Sequence, residues 1–230
     1  MSLTRIKVIA FDADDTLWHN EHYFQEVEHK FCEMLEEYLP QHTIERELLQ
    51  TEMKNVSLYG YGIKSFILSM IETAIRISDK TIQVSVVERI IQLGREMLDK
   101  PIEKMDSVDE VLRLLKEKYR LVVATKGDLL DQERKLKKSE LEHFFHHIEI
   151  MSEKGEGDYA KLIKHLDIKP EEFLMIGNSL KSDVLPVLAL GGHGFHIPYH
   201  ITWGHEKVDK IIDHPNFKEF GKLSEIVDHL

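Results

Sequence analysis

The stretch Ile6-Lys7-Val8-Ile9-Ala10-Phe11-Asp12-Ala13-Asp14-Asp15-Thr16-Leu17 decides how this chain is read. Residues 6 to 11 are rich in β-branched and aromatic types, the composition of a buried strand, and carboxylates follow at Asp12, Asp14 and Asp15. Such acids cannot be buried without a cation or hydrogen bonds, and the C-terminal end of a strand is where an α/β protein places a site. Two blander readings compete. The acids could cap a turn and the following helix, or form a calcium loop. The second lacks the twelve-residue ligand cadence and its closing Glu, and the segment follows a strand rather than a helix.

Working outward, the grammar changes twice. From His22 to about Lys100 the apolar residues recur with helical spacing, which predicts helices near 20–38, 43–55, 63–78 and 83–99. Pro40, Gly60-Tyr61-Gly62 and Ser78-Asp79-Lys80-Thr81 separate them. After Pro101 strands and helices alternate. Helices are predicted at 107–118, 128–137, 157–167 and 181–190, and strands at 120–124, 147–151, 173–177 and 193–197. Ile211-Ile212 reads as a short edge strand and 222–229 as a last helix.

This alternation predicts a parallel sheet covered on both faces, an α/β three-layer Rossmann-like core. Strand 5–11 has no partner in the helical block, so it joins the sheet formed after residue 101. The expected domains are a core of residues 1–17 and 101–230 and an all-helical insertion at 18–100.

With 30 Lys plus Arg against 41 Asp plus Glu, the formal charge of the 230-residue chain is -11. That argues against a nucleic-acid polymer or an anionic membrane as partner, while a small anionic substrate remains compatible. Cys32 is the only cysteine, so an intrachain disulfide and a cysteine-based zinc site are excluded. No run of 18 apolar residues occurs, and a cytoplasmic protein, monomer or homodimer, is expected. His193, His196, His200 and His205 match no compact zinc spacing and read as a polar loop with unrelated histidines.

Three more strand ends carry polar groups. Leu121-Val122-Val123-Ala124 ends in Thr125-Lys126-Gly127-Asp128, Ile148-Glu149-Ile150 precedes Ser152-Glu153-Lys154, and Phe173-Leu174-Met175-Ile176 ends in Gly177-Asn178-Ser179, with Asp183 beyond. Together with the Asp-Ala-Asp-Asp-Thr segment, these resemble the four motifs of the haloacid dehalogenase (HAD) superfamily over essentially the whole chain. The helical block after the first motif is similar to the family's first type of cap.

The resemblance implies a magnesium-dependent hydrolase of a small phosphorylated metabolite. Asp12 would be the nucleophile, Asp14 the acid and base, Thr125 the phosphate-binding hydroxyl and Lys154 the balancing charge. Mg²⁺ would be held by Asp12, Asp14, Asn178 and Asp183. The position after Gly177 is Asn178 where Asp is commonest in the family, which removes a charge from the metal site and leaves open whether Asn178 or Asp183 is the direct ligand. Asp14 favours phosphoryl transfer, because the resembling dehalogenases lack this second acid. A phosphomutase could use the same pair, and a non-catalytic binding protein could keep the fold. Substrate selection is expected from Trp18, His19, Glu21 and His22 and from Tyr59, Gly60, Tyr61, Gly62 and Lys64. Phe24, Phe31, Leu35, Phe66, Met70 and Ile71 read as helical core.

Overall fold

The computed structural model describes residues 5–208 and 210–230; the first four residues of the expected core segment 1–17 lie outside the described residues. Strand β1 is Val8–Phe11, with all four residues buried. It lies between β2 (Arg120–Lys126) and β4 (Phe173–Gly177), so that Phe11 is level with Val123 and Ile176. Adding β3 (His147–Met151), β5 (His193–His196) and β6 (Phe217–Glu219) gives one parallel sheet in the order β3-β2-β1-β4-β5-β6.

The period of two along each strand feeds two separate cores. Ile9, Phe11, Leu121, Val123, Leu174 and Ile176 pack with Val111, Leu112 and Leu115 of α5 (Val108–Lys116) and with Leu223 and Ile226. Val8, Ala10, Val122, Ala124, Phe173 and Met175 pack on the other face with Tyr159, Leu162 and Ile163 of α7 (Glu156–His165). Burial on both faces is why these strands read as continuous apolar runs, and each large side chain so buried contributes roughly 1.5–3 kcal/mol. Helix α6 (Leu129–Ser139) connects β2 to β3.

The chain divides into two compact units. One, the sheet unit, runs to Asn20 and includes Ile102–Lys126 and Gln132–Leu230; the other comprises Glu21–Pro101 with Gly127–Asp131. The second contains α1 (Glu21–Met34), α2 (Gln41–Tyr59), α3 (Ile63–Ile77) and α4 (Val84–Asp99). Phe31, Leu35, Ile44, Leu48, Phe66, Met70, Ile90 and Leu93 form its apolar centre, with Phe24 and Ile71 partly buried against it.

Three expectations are corrected. Ile211-Ile212 is not a strand: Ile211 is 93% exposed, and the edge position beside β5 is taken by Phe217–Glu219. His193 and His196 belong to β5, within the strand expected at 193–197, and both are buried, so the reading of these two histidines as part of a polar loop does not hold. The helix expected at 181–190 is two pieces, a wide turn at Leu180–Val184 and then α8 at Leu185–Ala189. The break follows from Pro186, which has no N–H to give to the carbonyl of Ser182. The Tyr159 hydroxyl donates to that carbonyl instead, at 3.0 Å. The last helical stretch, Leu223–His229, winds as a tighter 3₁₀ helix.

Candidate functional site at the C-terminal sheet edge

The ladder between β1 and β4 continues one residue past the strand, because the Asp12 amide donates to the Ile176 carbonyl at 2.9 Å. The chain then turns sharply. The Leu17 amide donates back to the Ala13 carbonyl at 2.8 Å, and Asp15 takes a left-handed conformation at φ 60°. Aspartate tolerates that region because its short side chain can bond locally, and here Asp15 Oδ1 accepts the Asn20 amide at 2.8 Å. The Thr16 hydroxyl lies 3.5 Å from both Asp12 Oδ2 and Asn178 Oδ1, so these two oxygens approach a common point from separate strand ends.

Lys154, just past β3, is the centre of charge. Its side chain is 2% exposed, and its ammonium donates to Asp12 Oδ1 and, at 2.6 Å, to Asp183 Oδ1. One cation thus faces two carboxylates. Burial pushes the Asp12 carboxyl up to about 7; Lys154 opposes the shift and the charge of Asp183 adds to it. Burial works to lower the Lys154 pKa, but the two carboxylates outweigh it and raise it. The second oxygen of Asp183 accepts the Ser179 amide at 2.9 Å. Gly177 makes that possible, since a Cβ there would lie 2.2 Å from Asp183 Oδ2.

Asp14 points to a different set of donors. Its Oδ1 accepts from the Trp18 indole at 2.7 Å and from Lys135 at 3.0 Å, and its Oδ2 accepts from Gln132 at 2.9 Å and from Lys135 at 3.1 Å. Gln132 also donates to the Lys126 carbonyl, and Lys135 to Asn20 at 2.7 Å, which ties α6 to the acidic loop. Gln132 and Lys135 were invisible as site residues in the sequence. Their only signal is the three-residue spacing, which puts them on one face of a helix that otherwise reads as polar surface.

Thr125 is buried on β2, two residues past the position level with Phe11 and so at the same sheet edge. Lys126, read from sequence as either a ligand contact or a solvated lysine, is bonded to Ser182 and Glu206. Asn178 is anchored through its carbonyl, which lies 3.0 Å from His196 Nε2, while His196 Nδ1 lies 2.8 Å from Glu219. The edge therefore gathers Asp12, Lys154 and Asp183 through direct contacts, Asn178 through Thr16, and Asp14 through the loop.

Among the described residues no group of three His, Cys, Asp or Glu side chains is arranged to hold a metal. The oxygens of Asp12 and Asn178 are nevertheless hard donors that converge on Thr16, and this fits Mg²⁺, which completes its shell with water and phosphate oxygens. Asp183 fits a supporting place better than a direct one, because both its oxygens are already engaged.

Known proteins resemble this chain in sequence and in fold. A glyceraldehyde 3-phosphate phosphatase of Pyrococcus furiosus is 27% identical over 190 residues, covering 79% of this chain and 76% of that protein. The structure of a haloacid dehalogenase-like family hydrolase from Xanthomonas campestris superposes with a TM-score of 0.89 at 38% identity, covering 98% of this chain and 90% of that one. The magnesium-bound HAD hydrolase YfnB of Bacillus subtilis has the same fold at a TM-score of 0.67 and 17% identity, with 98% of each chain covered. The model of the haloacid dehalogenase-like hydrolases matches residues 6–191, and the chain belongs to that family.

Proposed function

We propose that the protein is a Mg²⁺-dependent phosphatase of a small phosphomonoester, working through a covalent intermediate on Asp12. The observation that carries this reading is the buried Asp12–Lys154–Asp183 array at the strand ends, with a second acid two residues from the first. An Asp12 oxygen bonds to phosphorus as the ester P–O bond breaks, and Asp14 gives a proton to the departing oxygen. Asp14 then takes a proton from water. The water oxygen bonds to phosphorus, the bond to Asp12 breaks, and inorganic phosphate leaves with Asp12 restored as a carboxylate.

Lys154 offsets the negative charge that nucleophile and phosphate bring together, and Thr125 donates a hydrogen bond to a non-bridging oxygen. Asp12, the Asp14 carbonyl and Asn178 would hold Mg²⁺, which supplies positive charge against the phosphate oxygens when bound. Asp183 holds Lys154 and the turn beyond Asn178. The helical unit, inserted directly after the acidic loop, is assigned the part of a cap that selects the leaving group. The activity named for the Pyrococcus relative supports a small phosphorylated metabolite as the substrate class.

The test is phosphate release from a panel of phosphomonoesters that includes glyceraldehyde 3-phosphate, with Mg²⁺ or with EDTA. Asp12→Asn, prepared identically, serves as the control. Turnover that needs the metal and vanishes in the variant is the expected result. Full activity of Asp12→Asn would sink the mechanism.

A further inference from the structure

The family match ends at residue 191, yet a residue beyond it reaches back to the strand ends. Glu206 lies in the segment after β5, on a single turn at Gly204–Glu206, with its side chain 11% exposed. Its Oε1 accepts from Lys126 Nζ at 2.5 Å, and its Oε2 accepts from the hydroxyls of Ser179 at 2.5 Å and Ser182 at 2.6 Å. The proton directions are forced. Ser182 Oγ already accepts from Lys126 at 2.9 Å and Ser179 Oγ from the Ser182 amide at 3.0 Å, so each hydroxyl spends its one proton on Glu206. Three donors converge on one side chain, and only a carboxylate accepts them all. Burial works against its charge, but Lys126 and the three hydrogen bonds prevail and hold the Glu206 carboxyl down at about 2.

The bonds continue inward. The Ser179 amide donates to Asp183, Asp183 accepts from Lys154, and Lys154 donates to Asp12. Lys181 ties the same outer segment down a second time, donating to the His205 carbonyl at 2.8 Å. Glu206 thus connects two strand ends that carry different parts of the site, the end of β2 with Thr125 and Lys126 and the turn after β4 with Asn178 to Asp183.

We propose that Glu206 is a positioning residue, a clamp that fixes the Asn178–Asp183 turn against the end of β2 and so holds Asn178 and Thr125 at their working separation. The clamp itself rests on the geometry; its effect on turnover rests on the phosphatase reading. Glutamine has the shape of glutamate but replaces one acceptor by a donor, so Glu206→Gln must set an N–H against either Lys126 or the serine protons.

The experiment is hydrogen–deuterium exchange by mass spectrometry on wild type, Glu206→Gln, Glu206→Ala and Glu206→Asp, with steady-state kinetics on the best substrate of the panel. Peptides covering residues 124–128 and 178–185 should exchange at least about tenfold faster in the Gln and Ala variants, a factor that the loss of a single hydrogen bond to a charged group already supplies. Peptides from α1 to α4 should be unchanged. The turnover number should fall by about tenfold while KM stays within about twofold, and Glu206→Asp, which keeps the charge, should recover part of both. If Glu206→Ala does not fold, the Gln and Asp variants carry the same comparison. Unchanged exchange in those peptides overturns the clamp. Faster exchange with an unaltered turnover number overturns its role in positioning. If the wild type hydrolyses nothing in the panel, the phosphatase reading fails while exchange still decides the clamp.

Discussion

The sheet edge and the interface between α2 and α3 both bury polar side chains, but of opposite kinds. At the edge the buried groups include charged ones, Asp12, Lys154 and Asp183, beside hydroxyls such as that of Thr125. Between the helices they are neutral. Asn55 donates to Ser69 at 3.0 Å, Thr73 donates to Thr51 at 2.9 Å, and Ser69 and Thr51 also donate back to carbonyls of their own helices, Ser65 and Glu47. Neutral hydroxyls and amides cost little to bury once paired, and what they give is a fixed register between two helices. Buried ions cost several kcal/mol each to desolvate, and attraction among them rarely returns more than that. A fold could replace the first kind with leucine. It keeps the second kind where charge is needed for chemistry.

The largest expected effect breaks the charged set. Lys154→Met leaves Asp12 and Asp183 buried without their cation, and should cost about 3–5 kcal/mol in denaturant unfolding together with all phosphate release. A loss under about 1 kcal/mol would mean that the edge is wetter than its burial indicates. Gly177→Ala comes next, because the new methyl would overlap Asp183 and force it off the Ser179 amide. About 1–3 kcal/mol of stability should go, and turnover with it, read by thermal unfolding alongside the phosphate assay. The smallest effect sharpens the neutral side. Asn55→Ala alone should cost about 1–2 kcal/mol by leaving a cavity and taking the donor from the Ser69 oxygen, whereas Asn55→Leu with Ser69→Ala should stay within about 1 kcal/mol of wild type. A double variant as damaging as Lys154→Met would erase the distinction between the two regions.

How legible each region was follows from the same physics. The sheet was readable because strands buried on both faces leave uninterrupted apolar runs such as Val8–Phe11 and Phe173–Ile176. The acidic loop and Asn178 were readable because each follows such a run directly, and Lys154 because it stands just past the shorter strand expected at 147–151, in the order of the family's motifs. Gln132, Lys135, His196 and Glu206 were not, since each acts through a contact that tertiary folding creates and none stands beside a motif that marks it. Glu206 is the extreme case, contained in a segment with almost no regular structure. Ile211 misled for the opposite reason: apolar pairing suggested a strand, but the vacant ladder beside β5 went to Phe217–Glu219, where Gly194 and His196 could receive it. Pro186 was visible throughout, yet its effect on the turn at Leu180–Val184 depends on Tyr159, which lies on another helix.

The central place of β1 has a consequence for biosynthesis. In sequence this strand precedes both of its neighbours, residues 120–123 and 173–176, by more than a hundred residues. The helices from Glu21 to Asp99 are complete in sequence before either neighbour has been made, and their local contacts form quickly. Val8–Phe11 must therefore wait unpaired until translation passes Lys126, and it keeps one open edge until translation passes Gly177. Over that interval Val8–Phe11 is an apolar strand with an open edge, the kind of segment most exposed to pairing with a wrong partner.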